Sequence, residues 1–377
     1  MTGIEATASG PAALASPAVR QIAPYVIGKP IEELARELGV TDILKLASNE
    51  NPLGPSARAR AAMQDALQDI WLYPDGNGHD LKQALARWHG VEMSQVTLGN
   101  GSNDLLVQLA EAFLTPCTNA VYSEHAFAIY GIAVQATGAA ARVPRALPDG
   151  HGMAFGHDLE AMAAAVDADT RLVYIANPNN PTGTWNTAAE LQNFLRRVPS
   201  TTVVVLDEAY HEYSQLVDCP DATQWLKDHP NLVVLRTFSK AHGLAGVRVG
   251  YGLSHPQIAD LLNRVRQPFN VGIPGLAGAA ASVGDKEQIA RAQQLVREGL
   301  AQLQSALPPL GARVFPTAGN FILADVGSSG TSVYERLLRE GVIVRPVAGY
   351  GLPRCVRITI GTAPQNERLI AALSRVL

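Results

Sequence analysis

Five side chains in this sequence could together bind and activate a small ligand: Asn180, Asp207, Tyr210, Lys240 and Arg248. Asp207 ends the aliphatic run VVVLD, and Lys240 follows the run NLVVLRTFS. A carboxylate at a buried strand end is costly unless a positive group meets it, in a structural salt bridge or on a ligand. A lysine in a dry pocket beside other cations has a lowered pKa, and its free amine can attack a carbonyl. The pattern therefore indicates a ligand with a carbonyl and a cationic group.

Further positions could supply hydrogen bonds to an anion or a hydroxyl. Asn180 lies in ANPNNPTGT, where two prolines and a glycine restrict the backbone and hold the amide stiffly. Arg248 follows the turn HGLAG and could bind a phosphate with two parallel hydrogen bonds. Ser102 and Asn103, in GNGSND, precede a predicted helix whose exposed amides could bind the same phosphate. A simple helix cap explains that turn equally well.

Signature motifs of several other enzyme classes are missing from the sequence. There is no GxxxxGK[ST] and no GxSxG, and Asp104 stands where GxGxxG would need its third glycine. No HExxH or comparable spacing indicates a metal site. Pyridoxal phosphate has the four groups that the side chains above would bind: a carbonyl, a cationic ring nitrogen, a hydroxyl and a phosphate. The order of these residues therefore predicts a pyridoxal phosphate site.

The elements that must position these residues are strands alternating with helices. Apolar, β-branched runs occur at 171–177, 201–210, 231–239 and 247–253, and a helical pattern lies between them at 188–198. Continuous apolar runs are typical of parallel strands that are buried on both faces. Ligands bind at the carboxyl ends of such strands. The sequence predicts an α/β fold with a mostly parallel sheet between helices.

The pattern changes after about residue 268. QPFNVGIPG is a Pro/Gly-rich junction, and a long helix is predicted over 285–307. Short strands follow in ARVFPT, NFILADV, VIVRPV and CVRITIG. We predict an N-terminal tail and arm over 1–42, a large ligand-binding domain over 43–268 and a smaller α+β domain over 269–377. The first twenty residues lack the basic start and apolar segment of a secretion signal, and we interpret this small, polar-to-neutral stretch as a mobile tail.

The composition is typical of a soluble globular protein with a large core. Of the 377 residues, 47% are hydrophobic and 17% are charged. The formal net charge of -4 does not favour binding to nucleic acid or to an anionic membrane. No apolar run reaches the ~18 residues of a membrane span. Three distant cysteines indicate neither a disulfide framework nor a zinc site, and they fit a reducing compartment.

The chain resembles the histidinol-phosphate aminotransferase family, within the fold type I pyridoxal-phosphate enzymes. The resemblance covers almost the whole chain and rests on KLASNENPLGPS, YPDGNG, NPNNPTGT, DEAY, SKAHGLAGVRVGYG and VRITIGT. It implies the fold of those enzymes and a cytoplasmic homodimer. It also implies a ping-pong reaction of histidine biosynthesis, with histidinol phosphate as amino donor and 2-oxoglutarate closing the cycle to glutamate.

The resemblance implies a role for each cofactor residue. Lys240 resembles the lysine that binds the cofactor covalently and later moves the proton. Asp207 matches the partner of the ring nitrogen, and Tyr210 and Asn180 match the groups that bond the ring hydroxyl. Phe127 resembles the aromatic residue that stacks on the ring. The residues that match the family's phosphate cradle are Ser102, Asn103, Thr237, Ser239 and Arg248.

Substrate residues also follow from the resemblance. Arg357 resembles the arginine that binds the anionic end of the substrate, and Arg345, Asn320 and Tyr25 match positions expected to line the pocket. Tyr73 resembles a tyrosine that the neighbouring subunit lends to the phosphate, which implies a site shared within a homodimer. Without the resemblance, these side chains would be interpreted as packing or surface residues.

Three histidines depart from the family pattern. His125 and His242 stand where tyrosine is usual, and His211 stands where phenylalanine is common. They leave the cofactor residues unchanged, but they bear on the choice of substrate. The alternatives are an aminotransferase for phenylalanine or tyrosine, a pyridoxal-phosphate decarboxylase, and a regulator that binds the cofactor without catalysis. The last is disfavoured because no helix-turn-helix extension is apparent at either end.

Overall fold

The computed structural model describes residues 10–216 and 218–377. Its strands, in chain order, are β1 (Leu44–Lys45), β2 (Val96–Gly99), β3 (Asn119–Tyr122), β4 (Ala140–Arg142), β5 (Thr170–Ala176), β6 (Val203–Asp207), β7 (Leu232–Thr237), β8 (Gly250–Ser254), β9 (Arg313–Val314), β10 (Phe321–Asp325), β11 (Val342–Ile343), β12 (Arg345–Pro346) and β13 (Cys355–Thr359). Its α-helices are α1 (Pro17–Arg20), α2 (Ile31–Leu38), α3 (Ala57–Ala66), α4 (His79–His89), α5 (Ser102–Phe113), α6 (Ala128–Ala136), α7 (Leu159–Ala164), α8 (Ala188–Arg197), α9 (Pro256–Val265), α10 (Ile273–Ser282), α11 (Lys286–Ala306), α12 (Gly330–Arg339) and α13 (Ala363–Val376).

The larger sheet has, within the described residues, seven strands in the order β2–β8–β7–β6–β5–β3–β4. Strands β4, β3, β5, β6 and β7 run parallel, and β8 is antiparallel to both of its neighbours. Strands β6 and β7 are buried along their whole length because helices cover both faces of the sheet. The predicted α/β class with a mostly parallel sheet is confirmed.

Alternate residues of the central strands point into two separate cores. Leu206 of β6 packs in the core that contains Phe194 of α8, whereas Val205 packs in the core that contains Leu105 of α5. This follows from the two-residue period of a strand. The two faces of β6 and β7 therefore pack against different surroundings.

The C-terminal part forms a second core around a smaller antiparallel sheet with the order β12–β13–β10–β9. The predicted long helix is present as α11, which is capped by the side chain of Asp285. Helix α10 follows the predicted boundary at residue 268, but its Ala279 packs in the core of the larger sheet. The junction between the two cores thus lies between α10 and α11.

The N-terminal segment links the two sheets. Residues 1–9 of the predicted tail lie outside the described residues, and 10–20 contain a 3-10 helix (Gly10–Leu14) and α1. Further along, β1 pairs in parallel with β11 of the C-terminal part. The following residues, 46–51, run between the larger and the smaller sheet, with Leu46 in the second core. No helix within 10–216 or 218–377 combines the length and apolar character needed to cross a membrane.

Candidate active site

A cavity of about 200 Å³ lies at the carboxyl ends of β5, β6 and β7. Most of the site residues predicted from the sequence lie around it, although they come from distant parts of the chain. They are Tyr25, Ser102, Asn103, Phe127, Asn180, Asp207, Tyr210, Thr237, Ser239, Lys240, Arg248, Arg345 and Arg357.

Lys240 follows β7 and extends its side chain into the cavity. Its Nζ donates a 3.0 Å hydrogen bond to the carbonyl oxygen of Ser48 and lies 5.6 Å from the ring centre of Tyr210. Burial lowers the pKa of Lys240 to about 7, and the positive charge of Arg357 adds to this effect. A large share of the amine is therefore unprotonated near neutral pH, as attack on a carbonyl requires.

Asp207 is the last residue of β6, and its two oxygens have different partners. Oδ2 accepts a 2.9 Å hydrogen bond from the hydroxyl of Tyr130, and Oδ1 accepts one of 3.3 Å from the backbone N–H of Ala209. Burial raises the pKa of Asp207 to about 6, and the bond from Tyr130 opposes this rise. Sequence reasoning missed Tyr130, although it lies three residues after Phe127 at the start of α6, a spacing that places two side chains on one helix face.

Tyr210 contacts a second residue that sequence reasoning missed, Asn49. Burial raises the pKa of Tyr210 to about 12, so its hydroxyl is protonated at neutral pH. The side-chain nitrogen of Asn49 donates a 2.9 Å hydrogen bond to the Tyr210 hydroxyl oxygen. Asn49 is buried and has a φ of 57°, a left-handed conformation that asparagine tolerates better than most residues. Within KLASNENP, only this unusual conformation distinguishes Asn49, and the sequence does not reveal it.

One part of the cavity contains groups that could bind an anion. Helix α5 begins there at Ser102, and no side chain caps the amides of its first turn. Nη1 of Arg248 donates a 3.1 Å hydrogen bond to Oγ of Ser239 beside it. A Cβ on Gly101 would lie 2.5 Å from Nη2 of Arg248, so the glycine allows the guanidinium to approach the helix. Free amides, the helix dipole and a guanidinium together favour a phosphate.

The cavity also contains two arginines from the smaller sheet. Arg357 of β13 donates to the carbonyl oxygen of Ala47 at 2.6 Å and to Oδ1 of Asn180. Its Nε is buried and has no hydrogen-bond partner among the described residues. Arg345 donates to the carbonyl oxygen of Val26 at 2.6 Å. A buried donor without a partner is costly, so the Nε of Arg357 could bind an anion that enters the cavity.

Tyr73 and Asn320 do not line this cavity. Tyr73 is 82% exposed, and its ring stacks on that of Phe269 with 4.9 Å between the ring centres. Asn320 is buried behind the cavity wall, where its side-chain nitrogen donates a 3.0 Å hydrogen bond to the backbone oxygen of Asn49. The substrate-lining role predicted for Asn320 and the role predicted for Tyr73 therefore stay predictions.

The three histidines that depart from the family pattern also lie away from the Lys240 cavity. His125 is buried, and its Nδ1 donates a 2.6 Å hydrogen bond to the carbonyl oxygen of Tyr350. His211 and His242 line a second cavity of about 380 Å³. We expected these positions to bear on the substrate, but none of them lines the cavity that contains Lys240.

The second cavity contains a buried ion cluster. Arg236 donates two hydrogen bonds to Oε2 of Glu208, of 3.0 and 2.7 Å, and one of 2.6 Å to Asp221. Burial alone would lower the pKa of Arg236, but these carboxylates raise it above its usual value. Asp207, the last residue of β6, lines the Lys240 cavity, whereas the next residue, Glu208, bonds Arg236 of the second cavity. Glu208, unlike Asp207, has its positive partner within the protein.

Comparisons with known proteins agree with this geometry. The profile of the family described as "Aminotransferase class I and II" matches residues 41–373. A protein of Pseudomonas fluorescens named histidinol-phosphate aminotransferase 2 is 56% identical over 367 residues, which cover 97% of this chain and 98% of that protein. A protein of the same name from Pseudomonas aeruginosa is 54% identical with the same coverage.

Solved structures show the same architecture. The histidinol-phosphate aminotransferase of Sinorhizobium meliloti in complex with pyridoxal-5'-phosphate superposes with a TM-score of 0.87. It is 32% identical in sequence, and the match covers 96% of this chain and 97% of that one. An aspartate aminotransferase mutant from Thermus thermophilus has a TM-score of 0.84 at 20% identity, over 96% of this chain and 99% of that one, and shows the fold alone.

Proposed function

The chain belongs to the family of class I and II aminotransferases, and we propose that it transfers the amino group of histidinol phosphate to 2-oxoglutarate with pyridoxal phosphate as cofactor. Its relatives at 54% and 56% identity carry the name histidinol-phosphate aminotransferase. The main structural support is Lys240, a buried amine with a pKa of about 7 that shares one cavity with a carboxylate and an uncapped helix N-terminus.

The donor set of the cavity fits pyridoxal phosphate. The amides of α5, Thr237, Ser239 and Arg248 would bind the phosphate, and Lys240 would bind the carbonyl carbon. A cationic ring nitrogen would give Asp207 the positive partner that it lacks among the described residues, and so would lower its raised pKa. Asn180 accepts from Arg357 through its oxygen, which leaves its nitrogen available for the ring hydroxyl.

The bound cofactor supplies a conjugated ring that accepts electrons when a proton leaves the substrate carbon. Asp207, when charged, would hold a protonated ring nitrogen. With the cofactor bound, the free amine of Lys240 would be the base that takes the proton from the substrate carbon and the acid that gives it back. Its lowered pKa suits both steps, since the amine must be free to accept a proton and acidic enough to give it back.

Arg357 is the residue that we propose to bind the anionic end of each substrate. One site must accept the phosphate ester of the amino donor and then a carboxylate of 2-oxoglutarate. A guanidinium can form paired hydrogen bonds to either anion. The unpartnered Nε of Arg357 supports this role, and Arg345 lies nearby to share the charge of a phosphate.

A panel of amino donors tests this function. Histidinol phosphate, phenylalanine and tyrosine would be compared with 2-oxoglutarate, with glutamate and the keto product measured. We expect kcat/KM for histidinol phosphate to exceed the others by about 10-fold or more, because Arg357 and Arg345 can share the charge of its phosphate, whereas phenylalanine and tyrosine offer a single carboxylate. A preference for phenylalanine or tyrosine would identify an aromatic aminotransferase instead. Release of carbon dioxide without a keto product would identify a decarboxylase.

We propose that the enzyme is a homodimer in which Tyr73 enters the site of the partner. Tyr73 belongs to an exposed apolar surface, and surfaces of this kind are typical of interfaces. It comprises Leu67, Ile70, Trp71, Leu72, Tyr73 and Phe269. Mixing a Lys240→Ala chain with a Tyr73→Ala chain should restore part of the activity, because hybrid dimers contain one site with both residues intact. A monomer in sedimentation experiments would contradict the proposal.

We propose a cytoplasmic location. The three cysteines, Cys117, Cys219 and Cys355, are all free. Free thiols are typical of proteins in a reducing compartment. Fractionation of cells that express the protein would test this location, and recovery outside the cytoplasm would contradict it.

A further inference from the structure

We propose that Asn49 is a positioning residue that turns the hydroxyl proton of Tyr210 toward the cofactor. The phenol then donates a hydrogen bond to the ring oxygen of pyridoxal phosphate rather than accepting one from it. This inference rests on the proposed function, because the acceptor is the cofactor. It assigns a role to a residue that lines the cavity but that sequence reasoning passed over.

The orientation of the Asn49 amide is set by Thr359. The hydroxyl oxygen of Thr359 accepts a 2.9 Å hydrogen bond from the backbone N–H of Asn49. The proton of the same hydroxyl must then point elsewhere, and it is donated to Oδ1 of Asn49 at 3.1 Å. With Oδ1 turned to Thr359, only Nδ2 of Asn49 can face Tyr210. The assignment of oxygen and nitrogen therefore follows from the hydrogen-bond network.

The orientation of the amide in turn determines the role of the phenol. An amide nitrogen donates only, so the oxygen of Tyr210 accepts at 2.9 Å from Asn49. The hydroxyl makes no other hydrogen bond within residues 10–216 and 218–377. Its proton is thus left for a group inside the cavity. A phenol whose oxygen already accepts a hydrogen bond also becomes a better donor.

The backbone of Asn49 is fixed on both sides. Its carbonyl oxygen accepts a 3.0 Å hydrogen bond from Asn320, while its N–H bonds Thr359. These two bonds hold the residue in its left-handed conformation, with φ of 57°. Such conformations are strained for residues other than glycine and persist where surrounding contacts impose them. The side chain is therefore presented to Tyr210 in one orientation.

The network also reaches the strand that binds the substrate anion. Thr359 and Arg357 both lie on β13, two residues apart, so their side chains leave the same face of the strand. The correct placement of this strand thus serves the proposed anion site and the orientation of Tyr210 together. Asn49 therefore links β13, through Thr359, to Tyr210 at the proposed cofactor site.

The pH titration of the visible absorbance of the cofactor-loaded protein tests this inference without substrate. A donated hydrogen bond stabilises the ring oxygen as an anion and lowers the midpoint of the titration. Tyr210→Phe should raise the midpoint by about one pH unit or more, the size expected for a hydrogen bond to a charged group. Asn49→Asp should raise it comparably, because the new carboxylate would accept the phenol proton and turn it away from the cofactor. Thr359→Val should raise the midpoint less, because the side-chain amide of Asn49 could then flip and present either its oxygen or its nitrogen to Tyr210.

A double substitution separates orientation from charge. In the Tyr210→Phe background, Asn49→Asp should add less than half of the shift that it causes alone. An equal shift in both backgrounds would mean that the added charge acts directly, and it would overturn the inference. An unchanged midpoint in both Asn49→Asp and Thr359→Val would overturn it as well. A wild-type protein without any visible cofactor absorbance would overturn the proposed function, and this inference with it.

Discussion

The hydroxyl of Tyr130 donates a 2.9 Å hydrogen bond to Oδ2 of Asp207, a residue 77 positions away in the sequence. Both side chains are buried, and the ring of Tyr130 stacks on Tyr174 with 4.8 Å between the ring centres. Burial favours the neutral carboxyl of Asp207, whereas this hydrogen bond favours the charged one. Tyr130 therefore helps to keep Asp207 ionised before a cationic ring reaches it.

Replacing Tyr130 by phenylalanine should weaken cofactor binding in acidic solution. Loss of the hydrogen bond raises the pKa of Asp207 further above about 6, by about one unit. Cofactor affinity, measured by fluorescence titration, should fall several-fold at pH 6.5 and change little at pH 8.5. Tyr174→Phe is the matched control, since its hydroxyl bonds the backbone of Leu106 and not Asp207. Equal losses at both pH values would contradict the explanation.

The rate at which the cofactor binds covalently should follow the titration of Lys240. Its pKa of about 7 means that the amine is mostly protonated at pH 6 and mostly free at pH 8. We expect the rate, followed by stopped-flow absorbance, to rise about tenfold per pH unit below 7 and to level off above it. Lys240→Ala should abolish the visible absorbance and transamination, while Lys286→Ala in the second cavity should change neither. A rate that is independent of pH between 5 and 7 would be inconsistent with this pKa.

Replacing Asp207 by asparagine should stabilise the cofactor-free protein. An acid with a raised pKa keeps its proton longer in the folded state, so stability falls as pH rises from about 4 to about 6. A shift of about two pKa units corresponds to at most about 3 kcal/mol. Asp207→Asn should therefore increase the free energy of unfolding in urea above pH 6, by about 1–3 kcal/mol, and have little effect near pH 4. A destabilised Asp207→Asn protein at pH 7.5 would show that burial of the charge is not costly.

Gly101 should be intolerant of any side chain. It has a φ of 76°, and an added Cβ would lie 2.5 Å from Nη2 of Arg248. Gly101→Ala should displace the guanidinium and lower cofactor affinity by about tenfold or more, equivalent to at least about 1.4 kcal/mol. Gly246, two residues before Arg248, has no atom within 4 Å of an added Cβ. Gly246→Ala should therefore retain affinity, and similar losses in both variants would rule out the steric explanation.

Arg236 should be important for stability rather than for cofactor binding. Arg236→Met removes the positive partner of Glu208 and Asp221 and leaves the buried carboxylate of Glu208 without a guanidinium. We expect a loss of about 3–5 kcal/mol in the free energy of unfolding. Arg264→Met is the control, because Arg264 pairs with Asp260 on the surface and should contribute less than about 1 kcal/mol. Equal losses of unfolding free energy in the two variants would indicate that the buried ion pair contributes no more to stability than a surface pair.

The sequence predicts the strand ends of the site better than the contacts behind them. Asp207 and Lys240 are recognisable because each is a charge at the end of a continuous apolar run, which is a pattern of neighbouring residues in the sequence. Tyr130 and Asn49 are recognisable only through partners far along the chain. Helix α10 follows a Pro/Gly-rich junction, yet its Ala279 packs in the core of the larger sheet, because local composition does not reveal which sheet a helix covers.

His211 and His242 show a second limit of sequence reasoning. Both follow a strand that ends in the site, and a position beyond a strand end no longer obeys the two-residue alternation. The sequence therefore could not establish on which side of the sheet they would lie. In the structure they line the second cavity, together with Glu212.

The contact between Asn49 and Thr359 spans 310 positions of the chain. During synthesis, the strands of the larger sheet emerge long before β13, and they can pair before it exists. Until β13 docks, the amide of Asn49 has no hydroxyl to orient it, and Arg357 is not yet in place. A nascent chain that ends before β13 could thus acquire a folded sheet but not a finished site. Maturation of this enzyme therefore depends on a highly non-local contact, and the cofactor can be seated correctly only after that contact has formed.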